Sequence, residues 1–278
     1  MPHFDTPEPI SVTLSVDVGA VRITAGDRAD TTVEVLPDSG ADDADLRVAQ
    51  QTRVTCENGV LLVKGPRQRS LFGKVGAVSV LIEVPAGSSV RGTASVLDLI
   101  CEGPLGECRF RTSTGSIRVA EADTAELRTG LGDVTVDRVT GTAEIIGAGR
   151  VVVGELGSTA TIKNLNGETV IGEADGHLRV NSSNGRISVD VARSGIDARS
   201  AQGGIRVGAA AGGPVELQTG AGDLDVGIPR SVTAWLDVNS RLGKVRNALG
   251  PAGEPSGSER TVEVRARTSL GDIVIRRA

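Results

Sequence analysis

Leu178-Arg179-Val180-Asn181-Ser182-Ser183-Asn184-Gly185-Arg186-Ile187-Ser188-Val189 carries, in twelve residues, a phrase that the rest of the chain repeats. The phrase is apolar-x-apolar-x-Ser/Thr-x-x-Gly-x-apolar-x-apolar. Its glycine returns as Gly115, Gly132, Gly149, Gly167, Gly185, Gly203 and Gly222, in steps of 17, 17, 18, 18, 18 and 19 residues. Two residues after each glycine stand Ile117, Val134, Val151, Thr169, Ile187, Ile205 and Leu224. Four after stand Val119, Val136, Val153, Ile171, Val189, Val207 and Val226. Seven and five before lie the apolar pairs of the preceding strand, such as Leu178 and Val180 or Val215 and Leu217, and three before lies a Thr, Ser or Asn; only the coil ending at Gly149 breaks step, with Ala143 and Ile145 one place later. A fixed period of this length is the signature of a stacked repeat.

Side chains alternate faces along a strand, so apolar residues two apart share one face. Two strands this short cannot bury that face alone. Stacking equivalent coils in one orientation gives parallel pairing, a continuous apolar interior and partners for every backbone N–H and C=O. The fold class is therefore all-β: a single-stranded parallel β-helix, or β-solenoid, with coils of 17–19 residues and an irregular N-terminal cap. The Ser/Thr/Asn column shares parity with the apolar positions and is expected inside a corner, bonding its neighbours and the turning backbone. The glycine is expected to take a backbone angle closed to other residues, or to let two corners approach. Gly185→Val should then cost more stability than a change at outward Arg186.

Outward from the array, the coils are expected to follow one another in chain order. Residues 89–278 form the solenoid, with 90–101 as a degenerate first coil that has Leu97 in the glycine place. The turn-rich segment 250–259 is an insertion between coils, because Val264, Ala266, Thr268, Gly271, Ile273 and Ile275 restore the phrase after it. Residues 1–88 form a cap packed on the solenoid. Alternation there predicts strands at 11–18, 31–36, 47–56, 60–64 and 78–84. Asn58-Gly59 makes a hairpin turn, 38–45 is an acidic connection, and Gly19-Ala20-Val21-Arg22-Ile23 is an isolated early copy of the phrase. The cap covers one raw end of the solenoid, and Arg276-Arg277-Ala278 blunts the other.

The composition agrees with thin aliphatic layers. Among 278 residues there are 37 Gly and four aromatic side chains, Phe4, Phe72, Phe110 and Trp235. A net charge of −5 argues against nucleic acid, whose binders carry a basic footprint. The chain opens Met1-Pro2-His3-Phe4-Asp5 without a basic, apolar leader, and no apolar run is long enough to span a bilayer, so a cytoplasmic protein without a transmembrane segment is expected. Cys56, Cys101 and Cys108 are odd in number and lack metal-like spacing; buried, reduced thiols are expected, with a 101–108 bridge open only in an oxidising compartment.

The form Thr-Gly-x-Gly-Asp-Val/Leu-x-Val at 129–136 and 219–226 resembles a bacterial β-strand-repeat family of unknown function that is labelled "putative adhesin". The resemblance spans essentially the whole chain, from the copy at Gly19 to the copy at Gly271. It implies the repeat fold, and it brings no activity and no catalytic residue. Many members look exported or membrane-tethered, and a surface adhesin would require such an export route.

Chemistry is sparse. Gly-Asp at 132–133, 222–223 and 271–272 is a turn feature on a period twice that of calcium-binding β-rolls. The pairs Asp223/Asp225 and Asp133/Asp137 lack the basic residue and stacking aromatics expected of a polysaccharide-cleaving solenoid. His3 and His177 supply no triad. No catalytic residue, cofactor or metal is expected. The segment 65–74 differs from everything else, setting Arg67, Arg69 and Lys74 beside Leu71 and Phe72 as a partner-docking loop. The functional expectation is a non-catalytic scaffold or protein-interaction module with an unidentified protein partner and scope for homo-oligomers. Behind it stand a self-polymerising structural subunit, a surface adhesin and, last, a carbohydrate-active enzyme.

Overall fold

The structure is a computed structural model that describes residues 2–40, 42–66, 75–250 and 260–278. The chain divides into two compact units, Met1–Arg138 and Val139–Ala278.

The first unit contains β1 (His3–Asp5), β2 (Ser11–Ser15), β3 (Val18–Gly26), β4 (Asp30–Pro37), α1 (Asp43–Gln51), β5 (Arg53–Glu57), β6 (Val60–Lys64), β7 (Val78–Pro85), β8 (Ser89–Thr114), β9 (Ile117–Leu131) and most of β10 (Val134–Val139). The early copy of the glycine phrase is a full coil here. β2 and β3 pair in parallel with β6 and β7 on one side, and with successive parts of β8 on the other. The first coil of the sequence thus lies inside the stack, and the later β6–β7 coil lies outside it. Leu97 does hold the glycine place, opposite Gly19 in the register.

Antiparallel strands close this outer coil. β5 folds back on β6 through Asn58 and Gly59, both with positive φ, as the hairpin signal predicts. β4 runs antiparallel to β7, and β1 to β4. The expected strand at 47–56 is corrected: residues 43–51 are helical and β5 begins at Arg53. The local signals favour this outcome. Asp42 caps the helix by accepting from Ala44 N at 2.9 Å, and Asp43 and Asp45 stand in the first turn, where the positive end of the helix dipole favours carboxylates. Buried Asp45 then ties the helix to both flanks, accepting from Ser39 N (2.9 Å) and Ala77 N (2.8 Å).

The second unit contains β11 (Ala143–Gly147), β12 (Val151–Leu156), β13 (Ala160–Asn166), β14 (Thr169–Ala174), β15 (Leu178–Asn184), β16 (Ile187–Ala192), β17 (Ile196–Gln202), β18 (Ile205–Ala210), β19 (Pro214–Ala221), β20 (Leu224–Ile228), β21 (Val232–Leu242), β22 (Val245–Asn247), β23 (Arg260–Leu270) and β24 (Ile273–Arg277). Two parallel files build the unit, and the repeat columns of the sequence are their registers. One file stacks Ala160, Leu178, Ile196, Val215 and Val264; the other stacks Thr169, Ile187, Ile205, Leu224 and Ile273. All of them are buried to within 1%, and each large aliphatic side chain so hidden contributes about 1.5–3 kcal/mol.

The corner geometry explains the glycines. Gly185 has φ +137°, and a Cβ there would lie 2.0 Å from the Gly167 carbonyl oxygen, so a side chain meets both strain and a clash. The threonines of the inward column bond backbone rather than one another, whereas Ser182 and Ser200 Oγ are buried without a protein partner. Thr219 Oγ1 donates to Gly203 O at 2.8 Å and Thr268 Oγ1 to Gly222 O at 3.0 Å, each across one coil.

Chain order and stacking order part company at the far coils. β23–β24 inserts between β19–β20 and β21–β22: Val215 pairs with Val264 and Val264 with Leu236, while Leu224 pairs with Ile273 and Ile273 with Val245. Two expectations fail here. Coils do not all follow the sequence, and Arg276-Arg277-Ala278 does not blunt an end. Arg276 is held between coils by Asp225 at 2.9 Å, and Arg277 donates to the carbonyls of Pro229 and Val232. The reason lies in the side chains. The coil with Val264, Ala266, Ile273 and Ile275 can be buried on both sides. The coil ending in Asn247 has a polar group where the others have an aliphatic one, and burying it without a partner would cost free energy.

Candidate functional site

β21 and β22 form the terminal coil of the second unit, and the core is open there. β21 pairs with β23 and β22 with β24; among the described residues no strand pairs with their other edges. Positions that are sealed in the preceding coils are half-buried in this one, notably Leu236 and Val238, and Val245 is 44% exposed. Around them Trp235 is 55%, Leu242 69% and Leu270 57% exposed.

The exposed leucines end a column that changes character along the stack. The residues just before the corner glycine are Asn166, Asn184, Gln202, Ala221, Leu270 and Leu242 in spatial order. Asn184 Nδ2 donates to Asn166 Oδ1 at 3.0 Å, so the far end of the column is a polar ladder. The open end is apolar.

Beside Trp235 lies a shallow cavity of about 250 Å³ on the outer face. Its charged side chains pair among themselves: Arg267 with Asp237 at 3.0 Å, Arg265 with Glu216 at 3.7 Å and Arg199 with Asp197 at 3.0 Å. Arg241, also on β21, has no ion pair among the described residues. Trp235, Asn239 and Arg241 are therefore side chains of this strand's outer face left available to a partner.

The docking loop expected at Arg67, Arg69, Leu71, Phe72 and Lys74 lies outside the described residues. The open coil was missed in its place. Its one sequence signal is Asn247 at an aliphatic position, which marks the coil as weakened without saying that it is terminal.

The remaining chemistry-bearing residues have structural partners. Asp223 Oδ1 accepts from Asp272 N at 2.8 Å, and Asp272 Oδ1 accepts from Lys244 N at 2.8 Å. The Gly-Asp pairs at 222–223 and 271–272 thus staple successive coils through backbone N–H groups. Asp98 does the same for Ser116 N at 2.7 Å. His3 bonds Asp30 at 2.9 Å, and His177 is half-buried in the other unit. The three thiols are free, with Cys101 and Cys108 buried. A hydrogen bond with Cys108, together with burial, holds the Cys101 thiol well above its ordinary pKa, which keeps it protonated and unreactive. Among the described residues no group of three or more His, Cys, Asp or Glu is placed to hold a metal ion, and no helix is long and apolar enough to cross a membrane.

A family model described as Toastrack DUF4097 matches residues 10–276. Several solved structures are similar at low identity. A "putative adhesin" from Bacteroides fragilis is 14% identical, covering 99% of this chain and 95% of its own, with a TM-score of 0.42. One from Parabacteroides merdae is 9% identical, covering 99% and 94%, with a TM-score of 0.38. A "putative lipid binding protein" from Parabacteroides distasonis is 12% identical, covering 100% and 95%, with a TM-score of 0.26. No curated protein matches the chain significantly.

Proposed function

The chain belongs to the Toastrack DUF4097 family, whose function is unassigned, and on that premise we propose a non-catalytic β-solenoid interaction module that joins a second copy of itself through the open coil of its second unit. The observation that carries this reading is the half-exposed core at Leu236, Val238 and Val245. An unpaired strand edge over an open apolar interior is a template for another strand.

A two-fold axis through Val238 sets β21 antiparallel to its own copy. Trp235 then faces Arg241, a cation–π pair, and Asp237 faces Asn239, so no like charges oppose. In this register Val238 meets its own copy and Leu236 meets Ser240 on the inward face, so the contact covers the half-open interior. An isologous contact of this kind uses itself up. A filament would need a second, different contact surface, which an isologous contact does not use. The dimer is therefore favoured over the polymer.

The non-catalytic part rests on the acids. Asp223, Asp272 and Asp225, which a hydrolytic site would need free, are tied to backbone N–H groups or to Arg276. The test is sedimentation of the full chain beside the double variant Trp235→Glu, Leu242→Glu. Both side chains are exposed, so the fold should hold. The expected result is a dimer for the parent and a monomer of unchanged melting temperature for the variant. A parent that stays monomeric at every soluble concentration overturns the proposal, as does a variant that dimerises equally well.

A further inference from the structure

Cys101 and Cys108 are two of the chain's three cysteines, and both fall in one coil, on β8. The next coil carries Val119 and Ala125 beside them in the register, aliphatic residues at the same inward positions. A bend separates the two cysteines. The register shifts between Cys101 and Pro104, and Gly103 takes φ +79°, where a Cβ would lie 2.0 Å from the Ala25 carbonyl oxygen. The strand turns there, and the segments on either side present their sulfurs to one interior. Cys101 is 1% and Cys108 0% exposed, and the two thiols share a hydrogen bond without being bridged. A disulfide requires side chains aimed at one another, and a thiol–thiol hydrogen bond already aims them.

The coil is covered on both sides. Cys101 pairs with Ile23 in one neighbouring coil and with Val119 in the other, and all three are buried. In the finished stack neither an oxidant nor a reductant reaches the sulfurs, and protonated Cys101 is no nucleophile. The redox state of the pair is therefore fixed while the coil is still open.

We propose that Cys101 and Cys108 are a modification site: they close to a disulfide inside their coil when the chain folds in the presence of a disulfide oxidant, and the assembled stack then shields the bond. With glutathione disulfide as oxidant, one cysteine thiolate attacks a glutathione sulfur, breaks its S–S bond and releases one glutathione thiolate. The second cysteine thiolate attacks the protein sulfur of that mixed disulfide and releases the other glutathione. The two cysteine protons end on the two released glutathiones, so two protein thiols are oxidised and one glutathione disulfide is reduced. Under reducing conditions the same chain folds with the hydrogen-bonded thiols free. The proposal is independent of self-association, because every residue in it belongs to the first unit.

The test removes the third thiol with Cys56→Ser and refolds that chain from denaturant in glutathione disulfide and, in parallel, in dithiothreitol. Synthesis in a cell-free extract under the same two conditions supplies folded chain where refolding is incomplete. Oxidative folding should give a single chain two hydrogens lighter, with no thiol titratable in denaturant. Reductive folding should leave both thiols. Once folded, the oxidised chain should resist dithiothreitol and the reduced chain should resist glutathione disulfide, each reacting at least about tenfold faster when unfolded, because buried groups react only through opening. Two free thiols, an attached glutathione or a crosslink to another copy after oxidative folding overturns the site. Reaction as fast in the folded chain as in denaturant overturns the shielding.

Discussion

The β6–β7 coil and the β21–β22 coil are both outermost in their own units, and they end their stacks in opposite ways. In the first, Leu61, Val63, Val80 and Ile82 are buried to within 1%, under antiparallel strands and a helix. In the second, the equivalent interior positions stay half-open and exposed Trp235, Leu242 and Val245 surround them. Parallel stacking alone cannot finish a solenoid, since each added coil presents a fresh edge. A change to antiparallel pairing can, because strands that fold straight back need no further coil. The difference teaches where to look for function: one stack is closed by its own chain, and among the described residues the other keeps an open edge.

The largest expected effect separates the two directly. Leu61→Ala in the closed coil should cost about 2–5 kcal/mol, the usual range for emptying a packed core site. Leu236→Ala in the open coil should cost only about 1 kcal/mol, in keeping with a side chain that is half in water already. Denaturant unfolding of dilute, monomeric protein measures both. Equal costs would mean that the open coil is covered in solution and that the contrast is false.

A smaller effect probes how the closed coil is held. Asp45→Ala leaves the N–H groups of Ser39 and Ala77 without their acceptor and should cost about 1–3 kcal/mol. Hydrogen exchange should show the loss in α1 and β7 and leave β21 unchanged. Exchange that rises equally across both units would deny the helix its local role.

The smallest effect is electrostatic. Hydrogen bonds from Arg28 hold the carboxyls of Asp30 and Glu83 below their ordinary range. Because the folded values lie below the unfolded ones, this contribution is complete above the ordinary carboxylate range of about 4. It is lost as pH falls through the lowered values. Arg28→Met should therefore move acid unfolding of the first unit to slightly higher pH, which circular dichroism during acid titration would record. An unmoved midpoint would mean that the network is only a solvated surface cluster.

The legible parts of this protein were the periodic ones. A period-2 alternation, a glycine every 17–19 residues and a hydroxyl three residues before it predict strand, corner and interior from neighbouring residues alone. Even Leu97 in a glycine's place could be read by counting, and the register confirms it. The helix at 43–51 was legible too and was misread: Asp42 as cap with acids in the first turn is a start signal, overridden by the apparent alternation further on. The Gly-Asp staples could not be read, since the N–H groups they meet belong to other coils 28 or 49 residues away in sequence.

What the sequence determined by itself is the coil. Its strands, its corner and its inward face follow from spacing, because alternation and positive φ are local properties of the backbone. What only the tertiary structure decided is the order of the coils. Near-identical coils offer near-identical edges, so local pattern cannot rank one neighbour above another. Burial ranks them. The coil of Ile273 and Ile275 gains from a neighbour on each side and goes inside, whereas the coil of Asn247 cannot bury that amide cheaply and is left at the end, its other edge unpaired among the described residues.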